Sequence, residues 1–246
     1  MPAPPSTPRP SSAPRVLVVQ HEDSCPPEYV GDWLRAEGVD LDVRRPYRGD
    51  TLPGDLRDHA GLLVLGGEMG ANDDAMHPWL APTRELVTAA VAADTPVWGI
   101  CLGHQLMTVA LGGAVGVNPH GRASGLTPVG WSAESAHDPL CAGVPREAVA
   151  VQWNNDVTTR LPPKAQQLAA GPDGSAQVVR FGVRAWGVQF HPEVGGDVFA
   201  WWAASARKRE PSDTTADEAL DAIRAHELLL QQTWQPMAKA FAAQLG

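Results

Sequence analysis

The run TPVWGICLGHQLMTVALGG, residues 95 to 113, constrains the fold more than any other stretch. A strand-like apolar segment ends at Ile100, and a helical pattern begins at Leu102. Only Cys101 lies between them, flanked by Gly99 and Gly103. This has the form of an elbow, a strand-to-helix turn so sharp and crowded that small residues must sit on both sides. The turn lifts one side chain clear of the sheet. It also sets that side chain at a helix N-terminus, where the dipole favours a thiolate.

The segments around the elbow extend the pattern. RVLVVQH (15–21) and GLLVLGG (61–67) read as strands buried on both faces, and VDLDVRR alternates as another strand. EYVGDWLRAEG reads as a helix stopped by Gly38, and residues 79 to 93 carry helix spacing. Alternating strands and helices predict a parallel sheet with helices on both faces, a flavodoxin-like α/β fold. PVGWSA, AVAVQW, QQLAA, AQVVRF and AWGVQF are shorter strand candidates in the second half, and they predict an extension of the sheet with an antiparallel portion. Near the C-terminus, Thr215 and Glu218 form a capping-box pattern, and Pro236 is expected to interrupt the helix that follows. The expected organisation is a disordered Pro-rich tail over 1–14, one domain over 15–200, and helices over 201–246 packed on that domain.

Composition narrows the function. A net charge of −9 without long Lys/Arg runs argues against nucleic acid and anionic membranes as partners. The short run Arg207-Lys208-Arg209 reads as a solvated turn. No apolar run approaches the roughly 20 residues that span a bilayer. Three cysteines fit neither a disulfide framework nor a zinc site, so no metal is expected and a reducing cytoplasm is the simplest compartment.

A thiol nucleophile needs a base, and the base needs an orienting group. His191, in Gly187-Val-Gln-Phe-His-Pro-Glu193, follows an apolar strand and so falls at a sheet edge. Glu193, two residues on, projects to the same side in extended backbone. Pro192 disfavours helix at His191. Gly66 and Gly67 end a strand and allow close backbone approach to a ligand, and the amide of Leu102 faces any oxyanion formed beside Cys101. His21, at the end of the first strand, could border the site. Cys25 and Cys141 lack an elbow and are assigned no chemistry. Trp201, Trp202 and Trp234 are expected to pack C-terminal helices against the sheet.

LGG (65–67), GICLGHQ (99–105) and GVQFHPE (187–193) stand in the order and spacing of the class I, triad-type glutamine amidotransferases. The chain resembles that family over about residues 15 to 200. Its nearest likeness is to stand-alone proteins related to the glutaminase domain of GMP synthase. The resemblance implies a Cys101–His191–Glu193 triad that cleaves a γ-glutamyl amide through a thioester. It implies Gly67 and Leu102 as the oxyanion hole. Gly66, Gln105, Trp153, Asn154 and Asp156 are implied at the substrate, and no cofactor. Glutamine is the leading substrate, with ammonia passed to a partner synthase or another acceptor protein. The alternative is a γ-glutamyl hydrolase acting alone on a larger conjugate, and a second alternative is a non-catalytic binding or regulatory role. Glu68 stands where relatives carry proline, Asn154 where they carry histidine, and Ser124 near a usual glutamate, so substrate choice is the open point. No ATP-binding loop of the Ser-Gly-Gly-x-Asp-Ser or Walker type occurs.

Overall fold

The computed structural model describes residues 13–209 and 214–246. The tail expected over 1–14 therefore lies, apart from Ala13 and Pro14, outside the described residues. Five α-helices surround an eight-stranded sheet among these residues. The first half alternates β1 (Arg15–Val19), α1 (Glu28–Ala36), β2 (Asp40–Arg44), β3 (Gly61–Val64), α2 (Leu80–Ala92), β4 (Val97–Ile100) and α3 (Leu102–Ala110). The second half carries β5 (Ala114–Val117), β6 (Ala123–Pro128), β7 (Gly130–Trp131), β8 (Val149–Asn154), β9 (Asp156–Arg160), β10 (Gln166–Ala170), β11 (Ala176–Gly182) and β12 (Ala185–Val188). It closes with α4 (Gly196–Arg209) and α5 (Thr215–Ala242).

The main sheet runs β2-β1-β3-β4-β12-β11-β10-β7. Its pairs from β2 to β12 are parallel, and those from β12 to β7 are antiparallel. The antiparallel portion expected from the second half is present. Two ribbons, β5 with β9 and β6 with β8, stand apart from the sheet. One strand of the expected extension is thereby corrected: AVAVQW, which becomes β8, pairs with β6 and not with the sheet.

The period-two alternation of the central strands divides the core. Val16, Val18, Leu63, Trp98, Ile100 and Trp186 face one layer with α1, α4 and α5. Leu17, Val19, Leu62, Val64 and Val97 face the other with α2 and α3. Apolar residues on both sides of a strand are what a sheet covered on both faces requires.

Gly38 takes φ 81° just past α1, as its C-terminal stop demands. Two local expectations are corrected. The N-cap of α5 is Thr214, one residue before the capping-box reading placed it. Pro236 does not interrupt α5, which runs unbroken from Thr215 to Ala242. Proline removes one backbone bond and strains the preceding turn. Here Trp234, Met237, Ala238 and Phe241 are all buried around it, and their packing holds both halves in line. Among the described residues no helix is long and apolar enough to cross a membrane.

Two buried histidines tie stability to pH. Burial and the neighbouring His77 lower His21 to about 3, and burial lowers His104 to about 4. Unfolding returns each to its ordinary value of 6.5, so below that pH the unfolded chain takes up protons that the folded chain refuses. The contribution of these two histidines is complete above pH 6.5 and falls as the pH drops toward 4 and 3. The slope approaches about 1.4 kcal/mol per pH unit for each histidine. Urea unfolding between pH 7 and 5, above the range where most carboxylates titrate, should show it. His104→Gln should remove about half the slope, and an unchanged slope would refute the assignment.

Candidate active site

Cys101 sits between β4 and α3 as the N-cap residue, with φ 49° and ψ −104°. A non-glycine residue held there stores about 1–3 kcal/mol of strain, which only the surroundings can maintain. The surroundings are close. The Cys101 amide donates to the Val188 carbonyl at 2.8 Å, tying the elbow to the end of β12. A Cβ on Gly99 would meet the Gly103 backbone at 2.7 Å. A Cβ on Gly103 would overlap the carbonyl oxygen of Val64 in β3 and lie 2.8 Å from its carbon. The two glycines are thus required by the contact of α3 with the sheet.

Four segments of the site follow the carboxyl ends of parallel strands. Cys25 comes after β1, Gly66 and Gly67 after β3, Cys101 after β4, and His191 after β12. Such ends, near the point where strand order reverses around β1 and β3, are where open α/β sheets gather ligands. The His191 amide donates to Val151 at 2.9 Å, which anchors the segment to β8. His191 Nδ1 lies 2.7 Å from Glu193 Oε1, and both residues are buried. Burial alone would lower His191, but the charges of Glu193 and of the Cys101 sulfur outweigh it and raise the imidazole above its usual range. Trp202 packs edge-on against the ring at 4.7 Å between centroids. A Cβ on Gly66 would lie 3.0 Å from His191 Cε1 and 3.7 Å from Cys101 Cβ, so Gly66 is wedged against both.

One cavity of about 540 Å³ collects Cys101, His191, Gly67, Gln105, Trp153, Asn154 and Asp156. Leu102 begins α3, where first-turn amides have no acceptor within the helix. Gln105 Nε2 donates to the Asp156 carbonyl at 3.0 Å, and Asn154 Nδ2 donates to the same oxygen at 3.0 Å. Asn154 Oδ1 is buried without a hydrogen-bond partner among the described residues. Trp153 stacks with Trp202, and the Arg122 guanidinium lies 3.6 Å above its ring. A thiol beside a buried, carboxylate-oriented imidazole can attack a carbonyl carbon, with the imidazole carrying protons.

Glu68 lies at the cavity mouth, paired with Arg209 at 2.8 Å, and both are more than half exposed. Arg207–Arg209 are exposed as expected but form the last turn of α4 rather than a loop turn, and Arg207 pairs with Asp217 of α5. His21 is buried behind Gly67 and accepts from Trp79 Nε1 at 3.1 Å. Trp202 and Trp234 are buried as expected, but Trp201 is 55% exposed. Cys25, given no role from sequence, lines the cavity and donates to Glu22 Oε1 at 3.1 Å; burial and that carboxylate push its thiol up. Sequence reasoning also misses Arg122 and Gln189. Only the apolar, fully buried strand end preceding His191 could have drawn attention to Gln189.

The fold and this geometry define a class of protein, and comparison with known sequences agrees with it. Residues 32–199 match the family model "Glutamine amidotransferase class-I". The chain belongs to the class-I glutamine amidotransferase family. It is 30% identical over 182 residues to the glutamine amidotransferase-like protein YfeJ of Salmonella typhimurium, covering 73% of this chain and 75% of that one. It is 32% identical over 161 residues to a glutamine-hydrolysing GMP synthase subunit of Archaeoglobus fulgidus, covering 63% and 78%. The crystal structure of a glutamine amido transferase from Methylobacillus flagellatus superposes with a TM-score of 0.84 at 26% identity, covering 96% of each chain. The chain also matches two much longer synthases, over only 24% of their own length.

Proposed function

We propose that this chain hydrolyses a γ-glutamyl amide, with glutamine as the first substrate. The observation that carries the proposal is the buried His191–Glu193 pair opening onto the same cavity as the strained Cys101. The Cys101 sulfur attacks the amide carbon, and the amides of Gly67 and Leu102 receive the oxyanion. The C–N bond breaks as His191 protonates the departing ammonia, leaving a γ-glutamyl thioester. Water, deprotonated by His191, then attacks the thioester and glutamate leaves. Glu193 holds the imidazole in its working tautomer. Gln105, Trp153, Asn154 and Asp156 form the pocket for the glutamyl part, while Gly66, which is not among the residues lining the cavity, backs His191 and Cys101.

Likeness to one component of a GMP synthase, and to a quarter of two longer synthases, supports passage of ammonia to a synthase partner. Three free cysteines accord with a reducing cytoplasm. The breadth of the cavity supports a second reading. It extends past the triad to Glu22, Asp73 and Arg209, within the size range of pockets for ligands larger than one amino acid. In that reading the amine released is larger than ammonia.

The test is glutamate release by purified protein and by Cys101→Ala, from glutamine and from a panel of γ-glutamyl amines. Cys101-dependent release of glutamate and ammonia in equal amounts is expected. Release from conjugates with little from glutamine would favour the second reading. Equal activity in Cys101→Ala would end both.

A further inference from the structure

Gln189 is the one polar residue of the Gly187–Glu193 segment that the proposed mechanism leaves without a task. It is fully buried, and its own amide donates to the Gln177 carbonyl at 2.9 Å. Its side-chain Nε2 lies 3.6 Å from Cys101 Sγ. Its Oε1 accepts from Gln105 Nε2 at 3.3 Å.

The direction of this chain of bonds is set at its far end. The Asp156 carbonyl can only accept, so the Gln105 group facing it at 3.0 Å must be the NH₂. The other hydrogen of that NH₂ is then directed at Gln189, so Gln189 must turn its oxygen toward Gln105. That leaves the Gln189 NH₂, a pure donor, facing the sulfur. An amide donor supports an ionised sulfur better than a neutral thiol, because the negative charge is the stronger acceptor.

We propose that Gln189, oriented by Gln105 and through it by the Asp156 carbonyl, is a positioning residue that holds Cys101 as a thiolate directed into the cavity. Gln105 then couples the glutamyl pocket to the nucleophile as well as lining that pocket. The inference rests on Cys101 as the nucleophile, but it needs no knowledge of the substrate.

The experiment is alkylation of Cys101 by iodoacetamide, followed by mass spectrometry of the Cys101 peptide, from pH 6 to 10. Gln189→Met keeps the length of the side chain and removes the donor. At pH 7 its Cys101 should alkylate about ten-fold more slowly than in the wild type, the size expected for one hydrogen bond to a charged group. At pH 10, above the ordinary range of a free cysteine thiol, the two rates should converge. A merely structural role would slow both pH values alike or neither. Gln105→Met leaves Gln189 in place without its orienting donor and should show a smaller loss with the same convergence. It also carries the test if Gln189→Met does not fold. Rates equal to wild type at pH 7 in the folded variants would overturn the proposal. If no γ-glutamyl amide is hydrolysed, only the proposed function fails, since alkylation reads the sulfur directly.

Discussion

Gly103→Ala should lose about 3–5 kcal/mol of stability, at the upper end for a single added methyl. Its Cβ would overlap the carbonyl oxygen of Val64, a backbone atom in the middle of the sheet. A side-chain neighbour could rotate aside, but β3 is paired on both edges and cannot move alone. α3 would have to lift away, taking buried Leu102, Leu106 and Met107 with it. Gly54→Ala is the control, since nothing lies within 4 Å of a Cβ there. It should change stability by no more than about 0.5 kcal/mol. Urea unfolding of the two variants beside wild type makes the comparison. Similar midpoints for both would mean that the elbow is looser than its contacts imply.

Glu193→Gln should lower kcat for γ-glutamyl amide hydrolysis by about 10³-fold, with KM changed little. The carboxylate accepts from His191 Nδ1 at 2.7 Å and so leaves Nε2 free to take a proton. A glutamine amide can donate to Nδ1 instead, which selects the opposite tautomer. Stability should fall as well, because the variant removes the charge that raises the buried imidazole. The loss is limited, since the ring can shed its proton. Circular dichroism of the folded variant at the assay temperature separates orientation of the base from damage to the fold. Turnover within ten-fold of wild type would remove Glu193 from the triad.

The parts of this molecule that could be read from sequence are those whose cause is local. β3, β4 and β1 beyond Arg15 are apolar because both faces are covered, and the elbow glycines adjoin the residue they serve. β5, β6 and β9 escape notice. They form ribbons off the sheet, half exposed, with sequences AVGV, ASGLTP and DVTTR in which no alternation survives. Pro236 misleads because side-chain packing around a distant segment outweighs a local backbone preference. The proposed triad is legible in sequence because two of its members are neighbours and the third sits in the elbow. Gln189 and Cys101 are 88 positions apart, and Trp202 meets Ser24 across 178. Only the order of strands brings such residues together, and no short window carries that order.

The late position of α5 has a consequence for synthesis. Trp234 packs tilted against Phe190, next to His191, and its Nε1 donates to the Val149 carbonyl in β8. Phe241 meets Trp98 of β4, two residues before Ile100. A nascent chain that has reached residue 209 already holds every proposed triad residue, yet Phe190 and Trp98 still lack the rings that cover them. Domains ordinarily mature from the N-terminus as they are translated. Here the proposed nucleophile and base are made early and covered late, so a growing polypeptide should hold them in place only once α5 has emerged and docked.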